Sequence, residues 1–329
     1  MPNSSCSPDP SYFSTPDFLK LSLHLISAIS TPIYLLGLYC ILFKTPKPMI
    51  SVKWYLLTLH AWIILFDYCV GVLGVPMLLV PAPAGFSNGV LRYLGVPDSI
   101  QGITVNIIMG YMCITNISIY ENRFFILCQF PGKDLWTYGR WIWLFSHYLA
   151  VITFYTPAFF LIPDQLEARK LIFQRLPCLP DYLYQEPIFV MTLDPTYHVT
   201  AAATIIFVLF LEFSILLFLL FRNSQKQRNS PAISQKTYQM HKQFLHALVI
   251  QMTIPYVQIG IPVSYLFICV FLNYYNQAAT NVFLVFTATH GLVSTVTMIL
   301  VHRPYRLAVM KTPLTRRKST MISITNHVL

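Results

Sequence analysis

From Gln243 to His302 the chain runs for sixty residues without one Asp, Glu, Lys or Arg side chain. A hydrocarbon core is crossed by about 20 apolar residues, so this stretch holds two crossings. Asn273-Tyr274-Tyr275-Asn276-Gln277 is its polar break and separates them. Inside lipid every backbone N–H and C=O must be satisfied within the structure, which leaves helices or closed barrels. Barrel strands alternate in polarity every second residue, and these runs do not. The chain is therefore expected to be an all-α membrane protein.

The rest of the sequence follows the same plan. Ser99 to Leu127 carries no charged side chain until Tyr120-Glu121-Asn122-Arg123. Seven spans are expected at about 18–43, 54–80, 99–120, 141–162, 198–221, 243–272 and 278–301. A polar tail of residues 1–17 precedes the bundle of 18–301, a long polar connection fills 163–197, and a basic tail of 302–329 follows. Only 10% of residues are charged and the mean hydropathy is +0.58, a membrane composition.

The net charge of +10 would suit nucleic-acid binding in a soluble protein. Its placement says otherwise. With the N-terminus outside, inner loops and tail hold 17 Lys/Arg against 2 acidic residues, and outer regions 5 against 8. That is the positive-inside pattern, so the C-terminus is expected inside and no nucleic-acid partner is implied. No internal repeat suggests a transporter of paired halves.

The two remaining carboxylates, Asp67 and Glu212, fall inside spans. At mid-membrane an Asp costs roughly 2.5–3.5 kcal/mol unless it faces polar partners. His290 and Asn106 are the candidate partners, giving an expected intramembrane polar network of Asp67, Asn106, Glu212 and His290. Pro255, Gly260 and Pro262 are expected to bend the sixth span, as a hinge or as a fixed kink. Glu121 and Arg123, two apart, do not share a helix face, so Arg123 either reaches another helix end, meets a docking protein, or belongs to a simple stop-transfer cluster. Pro304, within His302-Arg303-Pro304-Tyr305-Arg306, ends simple continuation of the seventh helix. Cys6 and Cys178 are both expected on the oxidising side, where they could pair, and Asn3-Ser4-Ser5 is a glycosylation sequon. Nothing has metal-ligand spacing, and neither a cofactor motif nor an enzymatic one such as HExxH is present.

Four stretches together resemble the nematode chemoreceptors of serpentine receptor class H. They are KTPKPMISVKWYLLTLHAWIILFDY (Lys44 to Tyr68), YENRFF (Tyr120 to Phe125), KQFLHALVIQMTIP (Lys242 to Pro255) and THGLVSTVTMILVHRPYR (Thr289 to Arg306). The resemblance covers nearly the whole chain and implies a G-protein-coupled receptor fold. It implies that Glu121, Asn122 and Arg123 stand where rhodopsin-like receptors carry an acidic-Arg-Tyr coupling triplet, here with an Asn between acid and Arg. Pro304, Tyr305 and Arg306 stand near the Asn-Pro-x-x-Tyr position, with a different pattern. The implied partners are a heterotrimeric G protein and a small odorant or pheromone-like ligand, and the implied location is the plasma membrane of sensory neuron cilia. Such a ligand would be largely apolar, to suit the Ile, Val, Phe and Tyr of the outer halves of the third, fifth, sixth and seventh helices. The competing readings are a ligand-gated seven-span ion channel and, behind it, a membrane transporter.

Overall fold

The computed structural model describes residues 11–176, 179–228 and 234–310. Seven helical spans are long and apolar enough to cross a membrane: Pro16–Phe43, Ile50–Gly74, Asp98–Leu127, Lys133–Leu161, Thr196–Arg228, His241–Leu272 and Gln277–Val301. The third is the axis of the bundle, with 56% of its most apolar window buried, against 11% for the fourth and 6% for the fifth. The main core joins Tyr34, Leu56, Ile63, Met112, Tyr120 and Met298, so the first, second, third and seventh spans close on one another.

Several boundaries depart from the sequence expectation, some with a clear local cause. The first span starts at Pro16 because Thr15 accepts the Phe18 N–H and Pro16 occupies the first helical position, where no N–H is needed. The second span stops at Gly74 rather than near Val80. Its last turn, Cys69–Gly74, widens to a π-helix, and Val75 turns left-handed (φ 46°) just before Pro76, which bars its predecessor from the α region. The third span continues past Tyr120 to Leu127, so Glu121 to Arg123 lie within the helix and not at its end. The fourth begins eight residues early, at Lys133, after a left-handed Gly132. The fifth runs on to Arg228. The helix Gln235–Leu272, which carries the sixth span, stays continuous across Pro255, Gly260 and Pro262. The seventh is two helices, Gln277–Ala288 and His290–Val301, meeting at Thr289.

The connections at one end form a cap that the apolar pattern does not announce. Strands β1 (Pro76–Leu78), β2 (Ala84–Ser87) and β3 (Phe189–Val190) make an antiparallel sheet in that order, pairing Met77 with Phe86 and Gly85 with Phe189. A helix, Gln165–Arg175, packs beside it, giving the residue 163–197 connection a core of its own. Val75, Met77, Leu79, Ile172, Leu183 and Ile188 bury there against Leu19, Leu23 and Ala288 of the first and seventh spans. Gln277 donates to the Leu78 carbonyl (3.0 Å) and Asn281 to that of Phe13 (2.9 Å), tying cap and N-terminal turn to the seventh span. The opposite, basic end carries the short helix Arg303–Met310.

Candidate functional site

At the basic end the Glu121-Asn122-Arg123 triplet is split between two faces of the third span, as its spacing requires. Glu121 turns to the fourth span, where Oε2 accepts from Arg140 Nη2 at 2.6 Å and Oε1 from Trp136 Nε1 at 2.8 Å. The same Arg140 nitrogen reaches Asn122 Oδ1 (3.1 Å), and its guanidinium lies 4.4 Å from the centre of the Phe125 ring. Asn122 also donates to the Ser51 carbonyl of the second span (3.1 Å). Three spans are clamped here by a buried, charge-assisted set of bonds.

Arg123 is only 7% exposed and points the other way, within electrostatic reach of His241 and His302. His302 follows the last residue of the seventh span. Its Nε2–H donates to Gln251 Oε1 of the sixth span (3.0 Å), which fixes the tautomer. Burial, with the Arg123 charge adding to it, pushes the imidazole down to about 4, so His302 is neutral at physiological pH. The helix break expected at Pro304 is present. Pro304 lies in the first turn of Arg303–Met310, where a missing N–H does no harm. Tyr305 is fully buried and shares a hydrogen bond with Thr45 beyond the first span (2.8 Å), its phenol pushed up by desolvation. Arg306 donates back to the Leu300 carbonyl (2.9 Å).

Inside the bundle, the four residues expected to form one network are found in three places. Asp67 and His290 do come together, with Oδ1 and Nδ1 3.6 Å apart, too long for a direct hydrogen bond. The other Asp67 oxygen accepts from the Tyr34 hydroxyl. His60, below them, bonds the Tyr34 carbonyl at 2.9 Å. The seventh span approaches so closely that a Cβ on Gly291 would collide with the Asp67 carboxylate and the Tyr34 hydroxyl. Asn106, by contrast, donates to the Gly102 carbonyl one turn back in its own helix (2.9 Å). Glu212 is held by His147 of the fourth span, both oxygens 3.0 Å from Nε2. The expectation of a single network is thus corrected: Asn106 and Glu212 bond elsewhere, because the fifth span packs on the third and sixth spans and meets the fourth at His147. Among the described residues no group of His, Cys, Asp and Glu side chains could hold a metal. Asn3, Cys6 and Cys178 lie outside the described residues.

Sequence reasoning missed Arg140, Trp136, Tyr34, His60 and His147. Arg140 lies just before the span expected at 141–162, a position that hid its pairing. The usable signal was Gly132 followed by Lys133-Asp134, a helix start with an acid in its first turn. Tyr34 and His60 carried no signal beyond being polar groups in apolar runs.

The family model for the serpentine type 7TM GPCR chemoreceptor Srh matches residues 14–314. The chain belongs to this family. This class H receptor is 24% identical over 327 residues to serpentine receptor class H-72 of Caenorhabditis elegans, covering 97% of this chain and 92% of that one. Its fold is shared with squid rhodopsin in a crystal structure (TM-score 0.54, 10% identity, 94% and 90% of the two chains covered). At that identity the likeness is one of fold alone. The class H receptor is therefore a chemosensory, GPCR-type membrane receptor.

Proposed function

We propose that this receptor sits in the plasma membrane of sensory neuron cilia with its capped end outside, binds a small, largely apolar ligand, and activates a heterotrimeric G protein at its basic end. The observation that carries the reading is the division of labour at Glu121 and Arg123. The acid is engaged by Arg140 of the fourth span, while Arg123 faces the sixth and seventh spans. Outward movement of the sixth span, with Pro255, Gly260 and Pro262 as its flexible stretch, would open Arg123 to carbonyls of an inserted partner helix. Asn122 holds the clamp, and Pro304, Tyr305 and Arg306 anchor the seventh span beside the cleft. The asymmetry of basic residues supports the orientation. Reciprocal linkage then requires the docked G protein to tighten ligand binding.

The test uses cells carrying an N-terminal epitope and screened with a panel of small apolar odorants. The epitope stains intact cells, and one after Leu329 stains only after permeabilisation. For an odorant that drives nucleotide exchange in the wild type, Arg123→Ala abolishes exchange at matched surface staining. Exchange unchanged by the substitution removes Arg123 from coupling. An odorant-gated current in cells lacking G proteins replaces the receptor reading with a channel.

A further inference from the structure

The pair His147–Glu212 lies close to the middle of the fourth and fifth spans. Its side chains are 18% and 28% exposed, on the two spans that the bundle covers least. The proton inventory is fixed by the bonds. His147 Nδ1 lies 2.8 Å from the Trp143 carbonyl, which only accepts, so Nδ1 carries a hydrogen. Nε2 faces both oxygens of Glu212, and that contact needs a proton between them. An imidazolium with a carboxylate, or a neutral imidazole with a carboxylic acid, contains the same number of protons. Either way the pair is a net-neutral dipole.

One N–H serves both Glu212 oxygens, although a carboxylate accepts about four hydrogen bonds. The remaining acceptor capacity lies at a partly open seam in hydrocarbon, where water is scarce and unmet polar groups are costly. A neutral pair calls for no cation. What it lacks is a hydrogen-bond donor that can travel in the bilayer. The cap, meanwhile, covers the end through which a water-borne ligand would enter, with Val75, Met77, Leu79, Leu183, Ile188 and Val190 fully buried.

We propose that the seam between the fourth and fifth spans is a bilayer-facing site for an amphiphile with an apolar body and a hydroxyl head, the hydroxyl donating to Glu212. Val208 and Ile215, each about one turn from Glu212 and partly exposed, supply apolar walls beside the polar point. As the ligand class of the receptor it rests on the reading above; as a binding site it is tested without any G protein.

The experiment reconstitutes the full-length chain in phosphatidylcholine nanodiscs with a photoactivatable diazirine analogue of hexadecanol, or with its methyl ether, which cannot donate. After irradiation, labelled peptides are mapped by mass spectrometry. The alcohol should label residues 143–154 and 204–215 about tenfold more than the ether does, the worth of one hydrogen bond, while the first span labels equally with both. Unlabelled hexadecanol should compete. Glu212→Gln keeps a carbonyl acceptor and should retain the preference; His147→Phe with Glu212→Leu should abolish it. Equal labelling by alcohol and ether overturns the proposal on the unaltered chain, whatever the variants do, and so does a preference that survives the double replacement. Loss of labelling with Arg123-dependent exchange intact sinks the site and leaves the receptor standing; the reverse result does the opposite.

Discussion

Two histidine–carboxylate pairs lie within the apolar bundle, and they are opposites. Asp67 and His290 are enclosed, at most 7% exposed, yet sparsely bonded: among the described residues neither His290 nitrogen has a hydrogen-bond partner. His147 and Glu212 are well bonded, with both imidazole nitrogens engaged, yet open at the bundle surface. The first pair sits where the second and seventh spans close on the first, and even a methyl group on Gly291 would not fit. The second sits where the fourth and fifth spans meet the membrane. Enclosure, more than the chemistry of the partner, therefore sets what it costs to remove a member.

The hardest test of that contrast is Asp67→Leu. It strands the Tyr34 hydroxyl and removes the carboxylate that lies 3.6 Å from His290, a loss of about 3–5 kcal/mol by analogy with other broken buried pairs. Surface staining and the melting temperature in detergent should both fall sharply. Asp67→Asn keeps an acceptor for Tyr34 and should reach the surface while shifting the odorant dose–response. Wild-type staining and dose–response in both variants would remove Asp67 from any polar cluster.

His302 offers an intermediate case, enclosed like His290 but bonded to an amide and set beside a fixed positive charge. Its folded pKa of about 4 lies below the ordinary value of 6.5, so the unfolded chain binds the proton better. The contribution to stability is complete above pH 6.5 and is lost as pH falls toward 4, on the order of 3 kcal/mol by the lower limit. Melting temperature measured across that window should decline more steeply for the wild type than for His302→Asn. Parallel slopes would acquit His302.

The mildest expectation belongs to the open pair. Removing both members with His147→Phe and Glu212→Leu leaves neither partner stranded and should change the stability by about 1 kcal/mol or less, leaving the melting temperature in detergent nearly where it was. A loss as large as that of Asp67→Leu would break the comparison.

How far the sequence could be read follows the same division. Long charge-free runs placed all seven spans, because hydrocarbon tolerates few alternatives. Asp67 stood out as a lone acid in such a run and called for a polar partner, but cost did not choose between His290 and Asn106; the fold brings His290. The partner of Glu212 was not legible. His147 lies in the aromatic run Trp141 to Tyr148, and nothing in linear spacing says that the fourth span, rather than the second, lies beside the fifth. The cap was hidden for a different reason: its strands are two to four residues long, too short for any alternation to register, and Pro76 ends a run that otherwise reads as helix. At the basic end, the spacing of Glu121 and Arg123 predicted their separate faces, but not which neighbour each would meet.

The interruption at Thr289 gives the seventh span a mechanical character. An unbroken helix resists twisting through every rung of its hydrogen-bond ladder, so rotation at one end reaches the other. Here the Thr289 N–H and hydroxyl both turn back to the Phe286 carbonyl, at 3.2 and 2.7 Å, and Gln258 of the sixth span grips the same hydroxyl at 3.2 Å. The capped half and the half that carries His290 therefore meet at a turn that the sixth span holds. Whatever shifts the sixth span therefore bears first on the one place where the ladder of the seventh is already open.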